Sequence, residues 1–221
     1  MFKFIDVAVE KEDRTLLSNI TVTLNEPRIG IIGLNGSGKS TFARLLNGLE
    51  LPTSGTLRYQ GSEEVKKRRR EVGFVFQNPE NQIVYPGVRE DLEFGLKNLR
   101  LSAAEIRQRI EAIAVRLGIE HLLERFTHQL SGGEQQMIAL AGVVVMEPEV
   151  IVFDEPTTLL DLKNKRQLLD AINQLSQQVV MISHDLDTLS QFSRVLQIEN
   201  GTIKRDGPPA EVIRCYHEEY A

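Results

Sequence analysis

Tryptophan is absent from this chain of 221 residues, and cysteine occurs once, at Cys215. A lone thiol permits no intrachain disulfide, so the fold must be carried by its core, and a reducing compartment fits. Aromatic residues make up only 6%. No apolar run approaches the ~20 residues needed to cross a bilayer. The opening, MFKFIDVAVEKEDR, turns charged too soon for a secretory leader. Positive charge is not in excess either: 26 Lys and Arg stand against 31 Asp and Glu, a net charge of −5. The broad basic face of a nucleic-acid binder is therefore not expected. These absences predict a protein that is cytosolic or peripheral to a membrane. The one dense basic run, KKRRR at 66–70, reads as a solvated turn before the next strand, with contact to a partner or to anionic lipid as the alternative. What remains, 41% hydrophobic and 26% charged, is the balance of a globular domain with a sizeable core.

Periodicity predicts the architecture. Residues 2–9 and 20–24 alternate and are rich in β-formers, which suggests an N-terminal antiparallel sheet. Short apolar runs at 28–32, 72–77, 150–153 and 179–182 read as buried strands. Helical spacing covers 41–48, 102–117, 120–125, 134–146 and 209–220. Residues 195–198 and 202–204 flank Asn200-Gly201 and form a hairpin. Residues 78–87, with two prolines, two asparagines and a glycine, form a loop. The expected fold is α/β: a mostly parallel sheet with helices packed on it, an antiparallel β subdomain at the N-terminus and a helical subdomain. The chain reads as one domain over 1–221. Its core takes 1–76 and 148–221, a helical subdomain about 77–130, and a glycine-started helix 130–147.

The chemistry starts at GLNGSGKS, residues 33–40. It fits the phosphate-binding loop G-x-x-x-x-G-K-[ST], with a buried strand before it and a helix after it. Gly33, Gly36 and Gly38 let backbone N–H groups turn toward an anion, and Lys39 adds a point charge for the β- and γ-phosphates. The Ser40 hydroxyl can ligate Mg²⁺ beside them. In VIVFDE (150–155) an apolar strand delivers Asp154 to its C-terminal end, where it can hold Mg²⁺, and Glu155 can polarise a water for in-line attack. LSGGEQQ (130–136) contains a capping box, Ser131 and Glu134, plus a glycine pair that a cap alone does not need. That pair makes a second anion cradle at a helix start. Gln77, where a strand becomes a loop, can ligate Mg²⁺ or orient water, or can simply be a polar strand end. His184 can donate to a γ-phosphate, or can be structural.

The order of these motifs is that of the ATP-binding-cassette (ABC) ATPases, and the resemblance spans essentially the whole chain. It implies the ABC ATPase fold and a head-to-tail dimer holding two ATP molecules between the phosphate loop of one subunit and the LSGGE signature of the other. Gly33, Asn35, Gly36, Ser37, Gly38, Lys39, Ser40 and Thr41 would then bind the nucleotide and Mg²⁺ in cis, with Gln77, Asp154, Glu155 and His184. Ser131, Gly132, Gly133 and Glu134 would act in trans. Because every active residue type is present, a homodimer would have two competent sites, and a heterodimer is the other arrangement. The segment VFQNPENQIVYPGVREDLEFG (75–95) further resembles the ATPases of energy-coupling-factor (ECF) transporters, which import vitamins and transition-metal ions. The length of the chain is most similar to the dedicated ATPase of a biotin importer. The resemblance implies ATP hydrolysis on the cytoplasmic face of the inner membrane. The partners would be an integral membrane coupling subunit and a substrate-binding membrane subunit, with no nucleic acid.

Asn78, Gln82, Ile83, Val84 and Tyr85 are the expected docking residues. Two departures from the family pattern stand out. The aromatic that usually stacks on adenine is missing near Val9 and Lys11, and the dimer-contact tetrapeptide reads Thr158-Leu159-Leu160-Asp161, with threonine in place of serine. The competing class is an ABC ATPase of nucleic-acid maintenance or translation, but such chains carry long coiled-coil inserts or tandem cassettes.

Overall fold

The computed structural model describes residues 1–12, 14–99 and 101–220. In chain order the elements are β1 (Phe2–Lys11), β2 (Arg14–Leu24), β3 (Arg28–Ile32), α1 (Lys39–Asn47), β4 (Ser54–Tyr59), α2 (Val65–Glu71), β5 (Val72–Val75), α3 (Val88–Lys97), α4 (Ala103–Leu117), α5 (Gly132–Val144), β6 (Val150–Asp154), α6 (Leu162–Asn173), β7 (Gln178–Ile182), α7 (Leu186–Leu189), β8 (Arg194–Glu199), β9 (Thr202–Gly207) and α8 (Pro209–Tyr220). None of the described helices is long and apolar enough to cross a membrane.

The chain divides into two compact units. One holds Met1–Gly73, Glu149–Glu155 and Gln177–Ala221, and the other holds Phe74–Pro148 and Pro156–Ser176. In the first unit β2, β1 and β4 form an antiparallel sheet. Alternation buries Phe2, Phe4, Val7 and Val9 of β1, with a register shift where Asp6 takes φ 48°. Phe4 stacks on Phe42 of α1 at 4.9 Å between ring centroids, which ties this sheet to the helix behind the phosphate loop. The larger sheet runs β5-β6-β7-β3-β8-β9. β3 is paired in parallel on both sides, to β7 and to β8, and its residues Ile29, Ile31 and Ile32 are buried. β9 returns antiparallel to β8 across Asn200-Gly201, both at positive φ (47° and 76°) as a two-residue hairpin turn of this hand requires.

The second unit is helical. α3, α4 and α5 bury Leu92, Leu96, Ile110, Ile113 and Leu140. α4 starts at a full capping box, Ser102 with Glu105, of a kind worth about 1 kcal/mol. This unit reaches beyond the segment 77–130, because α5 and α6 pack within it as well.

Three sequence expectations change. The basic run at 66–70 lies in α2 and is not a turn. Arg68 is only 2% exposed and donates to the Leu57 and Glu63 carbonyls, Arg69 donates to the Gly48 carbonyl at the end of α1, and Arg70 pairs with Glu71. Lys67 donates to Gln60 and lies over the Tyr59 ring. Arg68 is therefore part of the core, whereas Arg69 and Arg70 remain exposed on the outer face of α2. Residues 120–125 contain a 3₁₀ turn, Glu120–Leu122, in place of a helix. Helices α3 and α6 were not legible as such.

Candidate functional site

In the first unit, β3 leads into residues 33–38 and α1 leaves them. Gly38, the N-cap of α1, has φ 107°, and a Cβ there would stand 2.8 Å from the Leu16 carbonyl oxygen. No side chain caps α1, so the free N–H groups and the positive end of the helix dipole face the loop. Lys39 is buried, and its Nζ donates to the Gly33 and Leu34 carbonyls at 2.9 Å each. The ammonium is thus held inside the loop by neutral oxygens. Burial lowers its pKa, and the nearby Glu155 and Asp154 charges oppose that shift. Leu34, Asn35 and Gly36 form the exposed tip, Ser37 is buried beneath it, and Thr41 is half-buried on α1.

The Ser40 hydroxyl donates to Asp154 Oδ1 at 3.1 Å. Burial raises the Asp154 pKa, and the Ser40 bond works against it. A hydroxyl and a carboxylate converging beside a buried ammonium form the hard-oxygen donor set that fits Mg²⁺ on a phosphate chain. Glu155 follows at the end of β6 with φ 50°, a backbone strain of order 1 kcal/mol, and its N–H donates to the Ile182 carbonyl across to β7. Its Oε1 lies 3.0 Å from His184 Nε2, just past the end of β7. This unit therefore brings together Lys39, Ser40, Asp154, Glu155 and His184.

Two residues behind the loop carry no motif. The Gly201 N–H donates to the Ser37 carbonyl at 2.9 Å, and the Gly201 carbonyl accepts from the Ser18 N–H at 2.9 Å. Asn-Gly announced a hairpin, but nothing in it announced this contact. At the missing adenine aromatic, Val9 points into the core, whereas Lys11 is exposed and paired with Glu50. Neither offers an aromatic face.

The remaining candidates lie in the second unit. Ser131 caps α5: its hydroxyl accepts from the Glu134 N–H at 3.3 Å, and the Ser131 N–H donates to Glu134 Oε2 at 2.7 Å. The Ser131 N–H and the Ser131 hydroxyl, donating to Glu134 Oε2 at 2.7 and 2.8 Å, hold the Glu134 carboxyl below the usual carboxylate range. The glycine pair splits in role. A Cβ on Gly133 would stand 2.3 Å from Asn164 Cγ on α6, so packing demands that glycine. A Cβ on Gly132 would meet nothing within 4 Å, which leaves its bare backbone open to a ligand. Asp161 caps α6 by accepting from the Asn164 N–H at 2.8 Å and from Asn164 Nδ2 at 3.1 Å.

Gln77 is exposed. Asn78 accepts from the Glu80 N–H and starts a 3₁₀ turn, Pro79–Asn81. Asp91 on α3 accepts from the N–H groups of Val84 and Tyr85, at 2.8 and 2.9 Å, and holds that backbone open. Val84 is 67% exposed and Tyr85 40%, and Tyr85 meets the exposed Phe94 at 5.3 Å. Ile83 is half-buried. Gln82 differs from its neighbours, because both ends of its amide are used internally.

The ABC transporter family model matches residues 17–158. A Deinococcus radiodurans protein, named provisionally as an ABC transporter ATP-binding protein, is 49% identical over 99% of this chain and 98% of its own length. The biotin transport ATP-binding protein BioM of Rhizobium etli is 43% identical over 98% of this chain and 97% of its own length. The energy-coupling factor transporter ATP-binding protein EcfA1 of Halalkalibacterium halodurans is 44% identical over 86% of this chain and 70% of its own length. Among solved structures, CbiO1 of Clostridium perfringens, part of the ABC transporter complex CbiONQ, superposes with a TM-score of 0.86 at 32% identity, covering 96% of this chain and 90% of that one. The ATP-binding cassette MJ0796, solved as a dimer with ADP and Pi, gives 0.82 at 25% identity, covering 95% of this chain and 99% of that one. With its phosphate loop, Ser40–Asp154 pair and LSGGE helix in family order, this chain belongs to the ABC transporter ATP-binding family and is an ATPase.

Proposed function

We propose that this chain hydrolyses ATP as the motor of an ECF-type importer, and that biotin is the favoured cargo. The ECF assignment is supported by the likeness to EcfA1 and to CbiO1, and the cargo by the likeness to BioM. The observation that carries the hydrolysis reading is Glu155. It stands at positive φ at the end of β6 against His184, in the same unit as Lys39 and the Ser40–Asp154 pair. A second copy would contribute Ser131, Gly132, Gly133 and Glu134 to each site, a reading supported by the dimeric MJ0796 cassette.

In this mechanism the loop N–H groups over 33–41 and Lys39 bind the phosphates and draw charge off the γ-phosphate. Ser40 and Asp154 would hold Mg²⁺, with Gln77 as a further ligand, and the ion when bound neutralises charge on the phosphate oxygens. Glu155 accepts a hydrogen bond from the attacking water and aligns it with the γ-phosphorus. His184 orients Glu155 and can donate to the same phosphate. Dimer closure on ATP and reopening after hydrolysis would move a membrane coupling subunit docked at Asn78, Ile83, Val84 and Tyr85, which places the chain on the cytoplasmic face of the membrane.

The test is Glu155→Gln, which keeps the shape and removes the carboxylate. Turnover should fall by at least about 100-fold with ATP affinity retained, a loss confined to the transition state. Hydrolysis at the wild-type rate would exclude Glu155 from the role.

A further inference from the structure

We propose that the side chains of Gln82 and Gln136 clamp the root of the Gln77 loop onto α5, so that Gln77 is positioned by the helix that starts at LSGGE. Phe76, the residue just before Gln77, has its backbone donor and acceptor both taken by side chains. Its N–H donates to Gln82 Oε1 at 3.2 Å, and its carbonyl accepts from Gln136 Nε2 at 3.3 Å. Gln82 Nε2 in turn donates to the Ala139 carbonyl on α5 at 2.6 Å. Gln136 also sits on α5 and is 1% exposed. A buried amide of this kind has to find partners, and here the partner is the loop root. All of these residues belong to the helical unit.

The spacing of Q-N-P-E-N-Q follows from this geometry. The 3₁₀ turn Pro79–Asn81, started by Asn78, reverses the chain so that Gln82 faces back toward Phe76, with its own N–H on the Pro79 carbonyl at 2.9 Å. The Gln82 amide accepts from Phe76 and donates to Ala139 at once, whereas an ionised glutamate cannot donate and a leucine can do neither. Gln82 is thus a positioning residue. It acts on Gln77 through one backbone unit and is not part of the exposed face formed by Val84 and Tyr85. A shift of α5 carries the backbone at Phe76 with it, and Gln77 follows.

The inference rests on the reading of Gln77 as a catalytic residue for its kinetic arm only, and two readouts keep the failures apart. The first is amide hydrogen exchange of the purified chain in Gln82→Leu. Exchange over 74–85 should accelerate about tenfold or more while α4 stays at the wild-type rate. The second is ATP turnover. Gln82→Leu should lower kcat about tenfold with the ATP Kd within about twofold, and should cause no further loss in a Gln77→Ala background. Gln82→Glu keeps the acceptor for Phe76 and loses the donor to Ala139. It should fall between the two, and it carries the same test if the leucine variant does not fold. Unchanged exchange over 74–85 overturns the clamp, and so do kcat losses for residues 77 and 82 that simply multiply. If Gln77→Ala turns over like the wild type, the role of Gln77 falls, and exchange alone decides whether the clamp exists.

Discussion

Gly201 is where a single atom should matter most outside the motifs. Its φ is 76°, and a Cβ would stand 2.8 Å from the Leu16 carbonyl oxygen, while its N–H holds the Ser37 carbonyl. Gly201→Ala should cost about 1–3 kcal/mol from strain and weaken ATP binding, because the phosphate loop loses its rear support. Thermal melting with and without nucleotide separates the two effects, and an unchanged ATP Kd would deny the support role. Residues inside motifs were legible as candidates because phosphate, Mg²⁺ and water each require a particular residue type at a particular spacing, and the fold brings Lys39, Ser40, Asp154 and Glu155 near one another. Gly201 and Gln82 were not legible in these roles. Their partners lie 164 and 57 positions away, at Ser37 and Ala139, and pairing at such range leaves no local pattern. Arg68 was missed for a different reason: its carbonyl partners, at Leu57 and Glu63, are near in sequence, but a run of five basic residues looks solvated.

Among the elements, strands β3, β6 and β7 were legible because both faces are buried, and α4 because its apolar residues recur at helical spacing. α2 and α6 bury one face thinly, Arg68 in one and Leu168, Ala171 and Ile172 in the other, so their spacing is faint. α8 buries Val212 and is also tied down by charge. Glu219 pairs with Lys204 and Arg205, Lys204 also meets Glu199 at 2.8 Å, and the Tyr220 hydroxyl donates to Glu199. Hydrogen bonds from Lys204 and Arg205 hold the Glu219 carboxyl down to about 2 from its ordinary 4.5. With the pKa lowered in the folded state, the unfolded state takes up more protons on acidification. The contribution is complete above pH 4.5 and is lost as pH falls from there through about 2. The network is exposed, so salt should weaken it. Intrinsic-rate-corrected exchange at α8 should therefore rise over that window in wild type and much less in Glu219→Gln. An equal response in both would remove Glu219 from the docking of α8.

For the molecule as a motor, the question is where force leaves it. In the proposed assembly it leaves through the face at Val84 and Tyr85, where exposed apolar side chains are held out on a backbone fixed by Asp91. Tyr85→Asp should abolish stimulation of the ATPase by the membrane subunits and leave basal hydrolysis at the wild-type rate. Collapse of basal turnover in an intact chain would show that this face does more than dock. The family and its fold class were legible from motif order, whereas the reach of the helical unit over α6 was not, because Pro156–Ser176 carries no motif of that unit.

The pairing of β3 also bears on how the protein comes into being. The strand that feeds the phosphate loop lies between β7 and β8, and the loop itself rests on the turn at Gly201. A ribosome makes Arg28–Ile32 early, yet both neighbouring strands and that turn emerge about 150 residues later, and contacts this distant form slowly. A nascent chain therefore cannot shape its nucleotide pocket until the hairpin at 194–207 has been synthesised. ATP capture by a nascent chain should therefore wait for β8 and the turn at Gly201.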